Sequence, residues 1–74
     1  MDTTEDPRIK RINVAVNAEM LAAIDLLIDR EGVTITEAVR RLIGYGDFVY
    51  RTVKIDGARL IAQNDTQERE IVLV

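Results

Sequence analysis

Between Lys10 and Asn17 the chain reads Lys-Arg-Ile-Asn-Val-Ala-Val-Asn, an alternation of polar and apolar positions. Period two predicts a strand with one buried face, from about Ile9 to Val16. Ile12, Val14 and Val16 fall on one side. Arg11, Asn13 and Ala15 fall on the other. Asn17 then offers an N-cap, because its side chain can accept from the free N–H groups of a first helical turn. Met20, Leu21, Ile24, Leu27 and Ile28 follow at helical spacing, with Ala23 on the same side, and Gly32 is placed to end this first helix in the left-handed conformation. Thr34-Ile35-Thr36-Glu37 has the form of a capping box, with Val33 and Ala38 as its staple. Ala38, Val39, Leu42 and Ile43 give the second helix its inner face, and Arg40 and Arg41 lie near its outer edge.

Residues 44–57 are ambiguous. Gly44 and Gly46 each cost a helix about 1 kcal/mol. Phe48-Val49-Tyr50-Arg51-Thr52-Val53-Lys54-Ile55 is rich in strand formers, and Asp56-Gly57 is a hairpin turn signal. The helical register Leu42, Gly46, Val49, Val53 nevertheless continues unbroken, with Gly46 allowing a second helix to approach and Gly57 as the C-cap. The helix reading is preferred and the strand stays open. Tyr45, Phe48 and Tyr50 are expected in the core. Beyond Gly57, Arg59–Gln63 and Glu70–Val74 read as two strands joined by a turn at Asn64-Asp65-Thr66-Gln67. Such a hairpin must pack on helices or on another chain to be stable.

The first strand has no neighbour in sequence to pair with. A lone strand leaves its N–H and C=O groups unsatisfied. The simplest partner is the same strand of a second copy, giving an antiparallel ribbon across a dimer axis. A ribbon of that kind fits the DNA major groove and presents Arg and Asn to base edges. Size points the same way. The 74 residues make one domain at most, 47% of them are apolar, and a domain so small is marginal alone. The absence of Cys removes disulfides and zinc-thiolate sites as staples.

The chain also has no His, the commonest metal ligand and general base. There is no nucleophile–base pair, no phosphate-cradling Gly loop and no spaced carboxylate pair, so an enzyme is not expected, nor a cofactor or metal. The net charge of −3 is unevenly spread. Residues 1–7 carry −3, residues 8–55 carry +2 and residues 56–74 carry −2. The middle is mildly basic between acidic ends, so attraction to DNA would rest on a few placed contacts. Residues 1–8 read as a disordered acidic arm. No apolar run is long enough for a membrane span and the acidic start lacks a leader pattern, so a cytoplasmic location is expected.

Taken in order, the alternating strand Arg11–Val16, the Asn17-capped helix, Gly32 and the second start Val33–Ile43 make residues 9–46 resemble the ribbon-helix-helix superfamily of prokaryotic and phage repressors, the CopG/Arc/MetJ type. The resemblance implies an α+β homodimer, with an intermolecular two-stranded ribbon and two helices per chain. Here it would comprise residues 9–57, with a C-terminal β-hairpin at 58–74. It implies a sequence-reading DNA-binding protein, a transcriptional regulator or repressor in a prokaryotic cell or phage-infected host. Arg11, Asn13 and Ala15 would take the base-reading positions. Ala15 is a departure, since it can only touch a thymine methyl. Thr34, Ile35 and Thr36 would hold a phosphate at the second helix start. Lys10, Arg8 and Arg40 would be further backbone contacts. Ile12, Val14, Val16, Val39 and Leu42 would form the dimer interface.

Plainer readings stand beside these. Arg11 and Asn13 can be the solvated face of a ribbon, a capping box is structural in most proteins, and Arg40-Arg41 can be a wet helix face. The acidic ends and the apolar hairpin also fit a protein-interaction module on the same dimer, antitoxin-like or phage host-factor-binding, with the partner held through residues 58–74. A third reading is a structural oligomer built through the C-terminal strands.

Overall fold

The computed structural model describes residues 8–74. Two helices joined by a short connection pack against each other, and a small sheet follows them. Helix α1 spans Ala18–Glu31. The Asn17 side chain accepts the Met20 N–H at 2.8 Å, satisfying a donor that has no partner within the helix. At the other end Gly32 has φ 65° and donates its N–H to the Ile28 carbonyl at 2.9 Å. That left-handed turn suits glycine because it lacks a Cβ. Only Val33 and Thr34 separate this cap from helix α2, Ile35–Tyr50. The Thr34 hydroxyl accepts the Glu37 N–H at 3.1 Å, which is the forward bond of the expected capping box.

Helix α2 does not stop at Tyr50. It continues as a π-helical segment, Arg51–Ile55, in which the Asp56 N–H reaches back five residues to the Arg51 carbonyl at 2.9 Å. Gly57 follows with φ 69°, and the Ala58 N–H closes on the Thr52 carbonyl at 3.0 Å. The closure is one residue wider than the usual Schellman bond, as the π register requires. Residues 47–55 are therefore helical throughout, although the last five are not α-helix.

The chain then turns into a two-stranded antiparallel sheet of β1 (Leu60–Gln63) and β2 (Glu68–Ile71). Leu60 lies opposite Ile71, Ile61 opposite Glu70, Ala62 opposite Arg69 and Gln63 opposite Glu68. The four-residue loop is organised by one side chain. Asn64 Oδ1 accepts the Thr66 and Gln67 N–H groups at 2.9 Å each and the Thr66 hydroxyl at 3.1 Å. Arg59 and Glu70 pair across the sheet at 3.0 Å, and that hydrogen bond, followed by the carboxylate charge, raises the Arg59 guanidinium pKa above its ordinary value.

Three expectations change. The second strand is Glu68–Ile71 rather than 70–74, because the Asn64 turn fixes the pairing and brings Glu68 and Arg69 into the ladder. Val72–Val74 lie beyond it. Residues 9–17 carry no regular secondary structure within the single chain, since the described residues contain no strand alongside them. Tyr45, Phe48 and Tyr50 are exposed on the single chain rather than in a core. The arm expected at residues 1–8 lies outside the described residues except for Arg8, which sits in a turn.

The core of one chain is very small. Among the described residues only Ile24 and Ala38 are buried, where α1 and α2 meet. Leu27, Ile28, Val33 and Leu42 are half-buried around them, while Met20, Leu21, Val39 and Ile43 stay exposed. The chain exposes 6873 Å², whereas a compact monomer of its mass would expose roughly 4,600 Å². Setting aside about 1,100 Å², the most that seven residues can expose, leaves an excess of about 1,200 Å². Two such chains would bury about 2,400 Å² on covering it, a value in the obligate-dimer range.

Candidate nucleic-acid interface

The N-terminal segment lies along the start of α2, and two grooves show how it is oriented. The first, about 380 Å³, is lined by Lys10, Ile12, Ile35, Thr36, Val39 and Arg40. The second, about 500 Å³ and almost wholly apolar, is lined by Val14, Val16, Met20, Ala23, Ile24, Val39, Leu42 and Ile43. Positions 10, 12, 14 and 16 thus all line a groove, and positions 11, 13 and 15 line neither. Period two holds along the whole segment even without a ladder. Arg11, Asn13 and Ala15 form the other row, exposed on the far side.

The apolar row is poorly covered within one chain. Ile12, Val14 and Val16 remain 78%, 64% and 45% exposed. A protein interior would bury each of these for about 1.5–3 kcal/mol per side chain. Val14, Val16, Val39 and Leu42, four of the five residues expected at a dimer interface, line the second groove, and Ile12 lines the first. The second groove adds Met20, Ala23, Ile24 and Ile43, which helical spacing places on the apolar faces of α1 and α2.

The first groove collects the other class of residue. Lys10 and Arg40 bring two cations to the N-terminal end of α2, beside Thr36. The backbone there is open for binding. The Ala38 N–H makes the first helical bond, to the Thr34 carbonyl at 2.9 Å, and the Glu37 N–H is taken by the Thr34 hydroxyl. The N–H groups of Ile35 and Thr36, the first two of the helix, have no acceptor among the described residues. Two free donors, the positive end of the helix dipole and two flanking cations suit an anion. The Thr34 hydroxyl accepts one bond and still has its own hydrogen to donate.

Residues 10–44 match the family model described as ribbon-helix-helix protein, copG family. This segment belongs to the ribbon-helix-helix family. Neither the curated proteins nor the solved structures contain a match to the chain. Ribbon-helix-helix proteins are generally DNA-binding transcription regulators and typically dimeric and non-enzymatic. The matched segment ends at Gly44, and the rest of α2, the π segment and the hairpin lie outside it.

Not every expected contact gathers at the ribbon-helix-helix groove. Lys10, Ile35, Thr36 and Arg40 line it together, with Thr34 at the cap beside them. Arg8 does not line it. Arg41 is drawn away into a 3.2 Å ion pair with Glu31, which links α2 to the end of α1. Among the described residues there is no group of three or more His, Cys, Asp or Glu that could hold a metal, and no helix long and apolar enough to cross a membrane.

Proposed function

We propose that the protein is a homodimeric transcriptional regulator that reads DNA sequence through a ribbon made from residues 9–16 of two chains. The observation that carries this reading is the division of the N-terminal segment into two rows. The even row lines the two grooves, while Arg11, Asn13 and Ala15 lie on the opposite side. Pairing two such segments satisfies their backbone groups and seats Ile12, Val14 and Val16 with Val39 and Leu42 in a shared interior. It also sets two Arg-Asn-Ala rows side by side, a width that the major groove admits.

Each side chain then has a role set by its chemistry. Arg11 donates to guanine O6 and N7. Asn13 donates to adenine N7 and accepts from N6. Ala15 contacts a thymine methyl. The α2 N-terminus takes a phosphate on the Ile35 and Thr36 N–H groups, assisted by the Thr34 hydroxyl. Lys10 and Arg40 add charge at the same groove, and Arg8 extends it along the backbone. Phosphate contacts fix register, and the Arg11 row supplies sequence preference.

The test is fluorescence anisotropy with labelled random-sequence duplex DNA across a salt series, followed by selection of the preferred site. Four to six phosphate contacts per dimer predict a log–log salt slope of roughly −3.6 to −5.4. Absence of binding at low salt overturns the proposal.

A further inference from the structure

Helix α2 carries a second apolar face next to the one it turns to α1. Positions 39, 43, 46 and 50 fall within about 60° of one another around the helix. Val39 and Ile43 line the apolar groove, so this face begins inside the surface read above as the dimer interface. It then runs past the end of the family segment at Gly44. Ile43 is 66% exposed and Tyr50 is 55% exposed, and neither is covered by the hairpin or by α1. Gly46 sits between them, and a Cβ built on it would meet nothing within 4 Å. The absence of a side chain there is not explained by packing inside the chain. Glycine within a helix is unfavourable relative to alanine, so an empty position between two exposed apolar residues requires another reason.

We infer that the two α2 helices of the dimer cross at Gly46, so that the interface continues onto the part of α2 beyond Gly44. The partner is a second copy of this chain. A two-fold axis brings the same surface of both chains together, and Gly46 then faces its own counterpart. Helices normally pack 8–10 Å apart, a spacing set by the side chains at the contact, and glycine permits the near end of that range. Ile43 and Tyr50 close over the crossing from either side. The unburied excess of surface on each chain supplies the area. Gly44, two residues away, points to the opposite side of the helix and also has open space around it, which makes it an internal control.

The inference rests on the dimer reading, and the experiment separates the two. The chain has no cysteine, so single-cysteine variants of the full-length protein report one contact each. Gly46→Cys is expected to form an intermolecular disulfide on mild oxidation at a protein concentration high enough to offset the weaker association its side chain causes, because a crossing there holds the Cα atoms within disulfide range, and Gly44→Cys is expected not to. The alanine variants give an independent readout. Gly44→Ala raises the thermal midpoint. Gly46→Ala lowers it and weakens dimerisation at least tenfold by sedimentation. If wild-type protein is dimeric while Gly46→Cys fails to cross-link and Gly46→Ala is as stabilising as Gly44→Ala, the crossing is overturned and the dimer stands. If the wild-type chain is monomeric at all concentrations, both are overturned.

Discussion

Thr34 separates the structural role of the second helix start from its proposed binding role. Its hydroxyl caps α2 by accepting the Glu37 N–H at 3.1 Å, and its hydrogen is proposed to reach a phosphate. Thr34→Asp keeps the first role and reverses the second. Aspartate is at least as good an N-cap as threonine, and its charge is favoured by the helix dipole by about 0.3–1 kcal/mol. The folded protein is therefore expected to be as stable as the parent or slightly more so. The same carboxylate would stand about 5 Å from the phosphate. Repulsion at that distance is about 0.8 kcal/mol in bulk water and about 3 kcal/mol at the effective dielectric of a protein surface. With one such site per chain, the lower value gives about 1.7 kcal/mol per dimer, or a roughly 15-fold loss of DNA affinity. Thr34→Ala should behave differently, losing about 1 kcal/mol of stability per helix through the cap. Thermal melts and anisotropy titrations at fixed salt on both variants provide the comparison. Undiminished DNA binding by a folded Thr34→Asp protein would refute the placement of a phosphate at this helix start.

Other expectations concern separate parts of the chain. Asn17→Ala removes the acceptor for the Met20 N–H and should cost about 1 kcal/mol, read from chemical denaturation. Gly32→Ala places a Cβ at φ 65° and should cost about 1 kcal/mol, whereas Gly32→Asn should cost less, because asparagine tolerates that conformation better. The Arg11→Ala, Asn13→Ala pair should flatten the preference among duplexes, while Arg40→Ala should weaken all duplexes alike and reduce the salt slope, both measurable by competition anisotropy.

Local chemistry was readable from the sequence and cooperative packing much less so. Asn17, Gly32 and Thr34 act within a few residues of themselves, and their spacing to Met20, Ile28 and Glu37 is fixed by the helix itself. The rows of the N-terminal segment were legible for the same reason, since alternation is a property of any extended chain. The π segment was not. Its apolar register matches an α-helix, and one extra residue per turn leaves no mark in composition. Glu68 and Arg69 look like loop residues beside Ile71-Val72-Leu73, so residue type alone starts the second strand two residues late. A two-stranded sheet exposed on both edges accommodates them, and the Asn64 turn decides the pairing. Helical spacing alone puts Tyr45, Phe48 and Tyr50 in a core. Spacing gives a face without saying which chain covers it. In the groove at the start of α2, Lys10 and Arg40 come together because the N-terminal segment folds back along α2, a long-range contact that no local pattern encodes.

The most direct test of the ribbon is an NMR experiment on a mixture of isotope-labelled and unlabelled chains, filtered for contacts between the two. Cross-peaks between backbone protons of residues 10–16 in one copy and the same residues in the other, in antiparallel order, are the predicted result. A sample that shows dimers by sedimentation but no such cross-peaks would contradict the ribbon and the DNA-reading surface built on it.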